Sequence, residues 1–369
     1  MKALAVGALR HDIAVVRPQA GGLAMGARAL AALPQKPTPA PDASERQPYN
    51  GGIIGGLPRE EPLSTPREQE LDTQIRTNLA DKPDALAAYE DLLETDAFTR
   101  TSVGHGAADS RVALLEQVQN YPEADVIRDL GRLGEREWFR EQSFEDKQRS
   151  AKMVAFNVSD TTPGDNQTRR NTIDRILSSD DVDVGWTSID APKGSVTYGQ
   201  AGEKGLLWWR KPYIELNSDL VPAGPDKIDP SDGDAVHVVS NTLAHEINHT
   251  ITPGGNEQSY GYFMDEYRAW YVGYQAENGH PPSARDAYDR ASYLTASETG
   301  SYGNIGKAFR DEGSEDQKQI VAFMAQLMGL DPATASFEDV NDFHNFNNRG
   351  PAPAPVPAFS DDPNNLDNG

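Results

Sequence analysis

His245-Glu246-Ile247-Asn248-His249 constrains this chain more than any other stretch, because two imidazoles and a carboxylate at this spacing demand a helix. Residues four apart lie one above the other on a helix face, so both histidines can reach one metal ion with Glu246 beside them. With 7 histidines in 369 residues, chance gives roughly 0.01 such matches, so the pattern is specific. The flanks supply the helical context. Asp234 is a candidate cap for a helix running to about Thr250, with Val236, Val239, Leu243 and Ile247 recurring along one face. Thr242, His245, Glu246 and His249 fall on another. The apolar stripe predicts docking on a core while the polar stripe faces a cleft. An ordinary amphipathic helix is the alternative, but surface positions seldom reproduce both the motif and its facing.

The chemistry implied is that of a catalytic zinc, which lowers the pKa of bound water and polarises a carbonyl while Glu246 moves the proton as general base. The chain has no cysteine, so histidine and carboxylate are the strong ligands it can offer. A catalytic zinc usually takes three protein ligands plus water. In the extended pattern HExxHxxGxxH the fixed offsets would carry glycine and histidine, but here they hold Thr252 and Gly255. Glu266, seventeen residues after His249, is the better third ligand. Ala269 and Gly273 follow it at i+3 and i+7, a narrow face that lets a second helix approach the first closely. Asp265, Glu257, Glu277 and His280 compete less well: Asp265 points about 100° away from Glu266, and Glu257 and His280 fall in expected loops. Asp265 is instead a candidate to orient a ligand histidine through its second ring nitrogen. His237, two turns before His245, is expected to be structural.

Through His245-Glu246-x-x-His249 and the downstream Glu266-x-x-Ala269, residues 205 to 280 resemble the gluzincin branch of zinc peptidases. Members often continue the third-ligand motif with Asp or Asn four residues on, where this chain has Trp270. Within that branch the chain is similar to NleD-like bacterial effector proteases, delivered into host cells by type III secretion, which join a compact HExxH domain to a variable secretion segment. The resemblance implies Zn2+ held by His245, His249 and Glu266, Glu246 as catalytic base, and a protein or peptide substrate, including a host protein.

A peptidase of this kind needs an edge strand for an extended substrate, and Pro212 to Asn217 is the candidate, with Tyr213 paired to Trp186 or Trp208. The rival reading is an ordinary core strand. Tyr260, Tyr262, Tyr267, Tyr271 and Tyr274 are near enough in sequence to donate to an oxyanion, although aromatics at helical spacing mostly build core. Trp208-Trp209 beside Arg210-Lys211 reads as packing rather than a substrate platform, since adjacent strand residues face opposite sides.

The net charge of -23 argues against nucleic-acid binding, and no apolar run is long enough to span a membrane. Residues 1 to 36 depart from that balance, with five Lys/Arg against Asp12 alone. The opening apolar run breaks at Arg10-His11-Asp12, which speaks against a Sec signal peptide and for an unfolded export segment, so the expected location is secreted or injected. A transit peptide and a tail without address are the alternatives. The expected organisation is a disordered leader over 1–66, a helical subdomain over 67–160, a zincin-like domain over 161–350 and a disordered tail over 351–369. The helical subdomain is suggested by Leu71, Ile75 and Leu79 at spacing four and by runs over Ala85 to Leu93, Val112 to Val118 and Val126 to Leu133. Residues 182–217 suggest strands and turns, and helices resume from Val236 to about Phe346. The fold class is therefore α+β, with a small mixed sheet and an active-site helix. Two functions rival the endopeptidase: a non-catalytic effector or interaction module braced by structural zinc, and a zinc amidohydrolase acting on a small or cell-wall amide.

Overall fold

Two helices in the N-terminal half start where a side chain satisfies their first amides. Thr65 and Glu68 form a capping box ahead of α1 (Pro66–Leu79), with proline in the first turn, where its missing N–H costs nothing. Leu71, Ile75 and Leu79 are fully buried along one side of α1, as their spacing predicts. Then come α2 (Pro83–Glu94), α3 (Asp96–Thr99), α4 (Ala107–Asn120), α5 (Ala124–Gly134) and α6 (Glu137–Arg140). Next are α7 (Phe144–Val158), capped by Ser143, and α8 (Asn166–Ser178). Residues of α7 are buried all round, which places it at the centre of the helical layer, against α4, α5, α8 and the sheet. The buried Arg111 guanidinium is neutralised by Glu68, itself sealed from solvent.

The computed structural model describes residues 11–14, 65–99, 107–162, 164, 166–178, 181–190, 196–204, 211–251, 259–297 and 302–341. Most of the expected leader, the expected tail, Trp208-Trp209 and Glu257 lie outside them. Within the leader, His11–Ala14 forms β1 and pairs antiparallel with β3 (Thr197–Lys204). The sheet runs β1-β3-β4-β2, with β4 (Lys211–Asn217) antiparallel to β3 and parallel to β2 (Asp183–Thr187). The segment expected to be a substrate edge is thus β4, an interior strand hydrogen-bonded on both sides. Tyr213 lies opposite Gly202 and Asp183, and Trp186 opposite Leu216, not Tyr213. The misreading has a physical source: Gly199 and Gly202 erase the alternation that would mark β3 as the neighbouring strand. Gly199 is needed, because a Cβ there would lie 2.5 Å from Thr242 Cγ2, and one on Gly202 would press on the Tyr213 ring at 3.0 Å.

After the sheet the chain enters α9 (Gly233–Val236), a π-helical stretch over His237–Thr242 and α10 (Leu243–Ile251), which bears the histidines. The cap is Asp232, not Asp234: Asp232 accepts from Ala235 N, while Asp234 accepts from the Tyr198 hydroxyl at 3.2 Å. Val236, Val239, Leu243 and Ile247 are buried, as the stripe predicts. A long helix α11 (Ser259–Asn278) packs on α10 and is followed by α12 (Ala284–Ala296), α13 (Gly303–Arg310), α14 (Glu315–Leu327) and α15 (Phe337–Asn341).

The molecule is mostly helical with one small mixed sheet, an α+β arrangement. Its apolar interior does not divide at residue 160. One core joins α1–α8, the sheet and the buried stripe through Ile247, and a second joins α11 through α15. The helices of 67–160 therefore share their core with the sheet and with α10, and the change of core falls between α10 and α11.

Candidate metal centre

Two helices position the centre, and small residues decide how near they come. Ala269 is fully buried and Gly273 meets Asn241, where an added Cβ would lie 2.5 Å from Asn241 Oδ1 and 2.8 Å from its backbone carbonyl. At Gly273 the narrow face read from Ala269 and Gly273 meets the π-helical stretch. A further clasp fixes the angle. Glu277 of α11 takes His237 Nδ1 at 3.1 Å and the Asn241 amide at 2.6 Å. Burial alone would raise the Glu277 pKa, but these hydrogen bonds, the His237 charge and Arg169 hold it below the ordinary carboxylate range. His237, expected to be structural, is held by Glu277 and packs its ring on Tyr198 at a centroid separation of 4.4 Å.

One ligand atom each from His245, His249 and Glu266 lies within 4.8 Å of the others. The Nε2 atoms of the two histidines are 3.0 Å apart, and Glu266 carboxylate oxygens stand 3.7 Å from His245 Nε2 and 3.9 Å from His249 Nε2. Ligand atoms around a tetrahedral ion at zinc-like bond lengths sit about 3.4 Å apart. The three separations bracket that value, so the group could hold a metal ion. Asp265 accepts from His249 Nδ1 at 2.9 Å, which in the neutral ring fixes the tautomer with the Nε2 lone pair toward the shared point. Asp265 thus does what its place beside Glu266 suggests.

Burial and charge oppose each other at the centre. The side chains of His245, Glu246 and Glu266 are at most 2% exposed and that of His249 5%. Burial alone would lower the His249 pKa, but the negative charges of Glu266, Asp265 and Glu246 outweigh it and push the pKa up to about 9 in the metal-free chain. Excess negative charge around two imidazoles is what a divalent cation would neutralise.

The tyrosines separate by environment. Tyr267 and Tyr271 are core residues, and Tyr274 donates to Asp286 at 3.3 Å. Tyr260 is bound through its backbone amide to Asp316. Tyr262 hydrogen-bonds Glu266, and burial together with that carboxylate pushes its phenol pKa far up. Tyr302, at the start of α13, was not on the sequence's list of candidates. Its hydroxyl is buried in the field of Glu266 and its pKa is likewise raised, first by burial and then by that charge. No spacing rule ties it to Glu266; only the packing of α13 on α11 brings it there. His280, expected in a solvent-exposed loop, is exposed beside Pro281.

Comparisons with family models, curated proteins and solved structures gave no match. The functional reading therefore rests on the geometry of this centre.

Proposed function

We propose that the chain is a zinc-dependent endopeptidase with a zincin-like catalytic centre, in which His245, His249 and Glu266 hold the ion and Glu246 is the general base. The observation that carries this reading is the convergence of three ligand atoms next to a buried glutamate on the same helix. Two imidazoles and one carboxylate suit zinc, which when bound lowers the pKa of water and polarises a carbonyl. Glu246 takes a proton from water at its carboxylate and returns it to the leaving amine. Asp265 keeps the His249 ring in register, and Tyr262 does the same for Glu266. The Tyr302 hydroxyl is a donor for negative charge developing on the carbonyl oxygen. The acid-poor leader supports export of the chain as a secreted effector, with a protein or peptide as substrate. Among the described residues no helix is long and apolar enough to cross a membrane.

The test is Glu246→Ala assayed on a peptide library with zinc content measured in parallel. Cleavage is expected to fall by at least about a hundredfold while about one zinc per chain remains. Undiminished cleavage would remove Glu246 from the mechanism.

The depth of the site supports a second reading, a closed structural zinc bracing two helices. Cobalt substitution separates the two. A spectrum that changes when a small anion is added indicates an open position and favours the enzyme, and a spectrum indifferent to anions favours the brace.

A further inference from the structure

We propose that Arg290, on α12, is the docking point for a carboxylate of the substrate beside the metal centre. For its catalytic meaning this rests on the peptidase reading. The chain carries 57 acidic residues against 34 Lys and Arg, and three of its enclosed arginines bond oxygen: Arg111 to Glu68, Arg149 to Asp146 and Arg169 to the Ala276 carbonyl. Arg290 differs. Among the described residues no carboxylate pairs with it, and its Nε is buried without a hydrogen-bond partner. Its one hydrogen bond is long, from Nη2 to the Tyr302 hydroxyl at 3.5 Å. The guanidinium is held by aromatic faces instead, 5.4 Å from the Tyr293 ring centre and 5.6 Å from that of Tyr302. These rings pack edge to face at 6.0 Å and form a rigid seat.

Aromatic faces attract a cation without neutralising it, so a seated guanidinium keeps its planar donor fork for an incoming anion. A carboxylate matches that fork in shape and charge. Location ties the seat to the centre. Tyr302 opens α13, which packs on both α11 and α12, and its hydroxyl accepts from Arg290. Arg290 thus lies on a helix packed beside α11, the helix that carries Glu266. The ligand class is a peptide bearing a carboxylate close to the bond to be cut, either an acidic side chain or a free C-terminus.

Calorimetric titration of the zinc-loaded full chain in a Glu246→Gln background tests this without turnover. The probes are three acetylated alanine peptides: one with a free C-terminal carboxylate, one amidated, and one amidated with a central glutamate. At least one carboxylate peptide is expected to bind about tenfold or more tightly than the neutral amide. Arg290→Gln should erase that preference, and Arg290→Lys, which keeps the charge but loses the fork, should retain part of it. Preference for the free acid assigns a C-terminus, and preference for the central glutamate assigns a side chain. No preference in the parent chain overturns the proposal. So does a preference that survives Arg290→Gln, because the metal would then be the acceptor. If Arg290→Gln does not fold, a full preference kept by Arg290→Lys counts against the fork. Binding without any cleavage by the wild-type chain would sink the peptidase reading and leave this one standing.

Discussion

With His249 as the proposed ligand, Asp265 decides how well it serves. Its hydrogen bond to Nδ1 holds the ring and makes Nε2 more basic, so Asp265→Asn is expected to weaken zinc binding about 10- to 100-fold. Competition against a calibrated chelator measures this; an unchanged affinity would make Asp265 a bystander. The raised His249 pKa sets a pH dependence with a definite sign. Below about 9 the metal-free imidazole is protonated, so binding must expel a proton and affinity rises with pH. The slope should be about tenfold per unit between roughly pH 7 and pH 9, flattening above. A flat titration over that range would contradict the assigned shift. At this scale the sequence is informative where spacing is rigid. His245, Glu246 and His249 are fixed by one helical turn, and Glu266 by the small residues after it. Tyr302 and Arg290 were not legible, since separate helices deliver them and no periodicity links them to the motif.

Two features of the elements bear directly on the site. The π-helical stretch before α10 broadens the turn where Asn241 faces Gly273, and such stretches often lie beside functional sites. Gly273→Ala is expected to destabilise the fold by about 1 to 3 kcal/mol through overpacking. It should also weaken metal binding, because α11 would move outward with Glu266. Denaturant titration with and without zinc checks both effects, and a variant as stable and as tight as wild type would refute the close approach. The buried stripe of α10 was legible from its spacing, but the π geometry and the cap at Asp232 were not, because a π turn obeys no 3.6-residue rule. Likewise the order of the sheet was hidden by the glycines of β3, which give no alternation, and by β1, which comes from a segment with the composition of a disordered leader.

For the whole molecule, the centre joins two apolar cores: the histidines extend from the first, which ends with α10, and Glu266 belongs to the helix that opens the second. A shared ion would tie the two together, stabilising the fold by about 2.7 kcal/mol when its free concentration is a hundred times Kd. This division was illegible in the sequence, which suggested a boundary near 160 from a change in composition, whereas the core follows packing across that point. The most direct test is zinc content per chain for wild type and Glu266→Ala after identical dialysis, with thermal unfolding of each. We expect about one zinc per wild-type chain and a zinc-dependent rise in its unfolding temperature, with both lost in Glu266→Ala. Equal zinc in the two proteins, or none in either, would contradict a centre built by His245, His249 and Glu266.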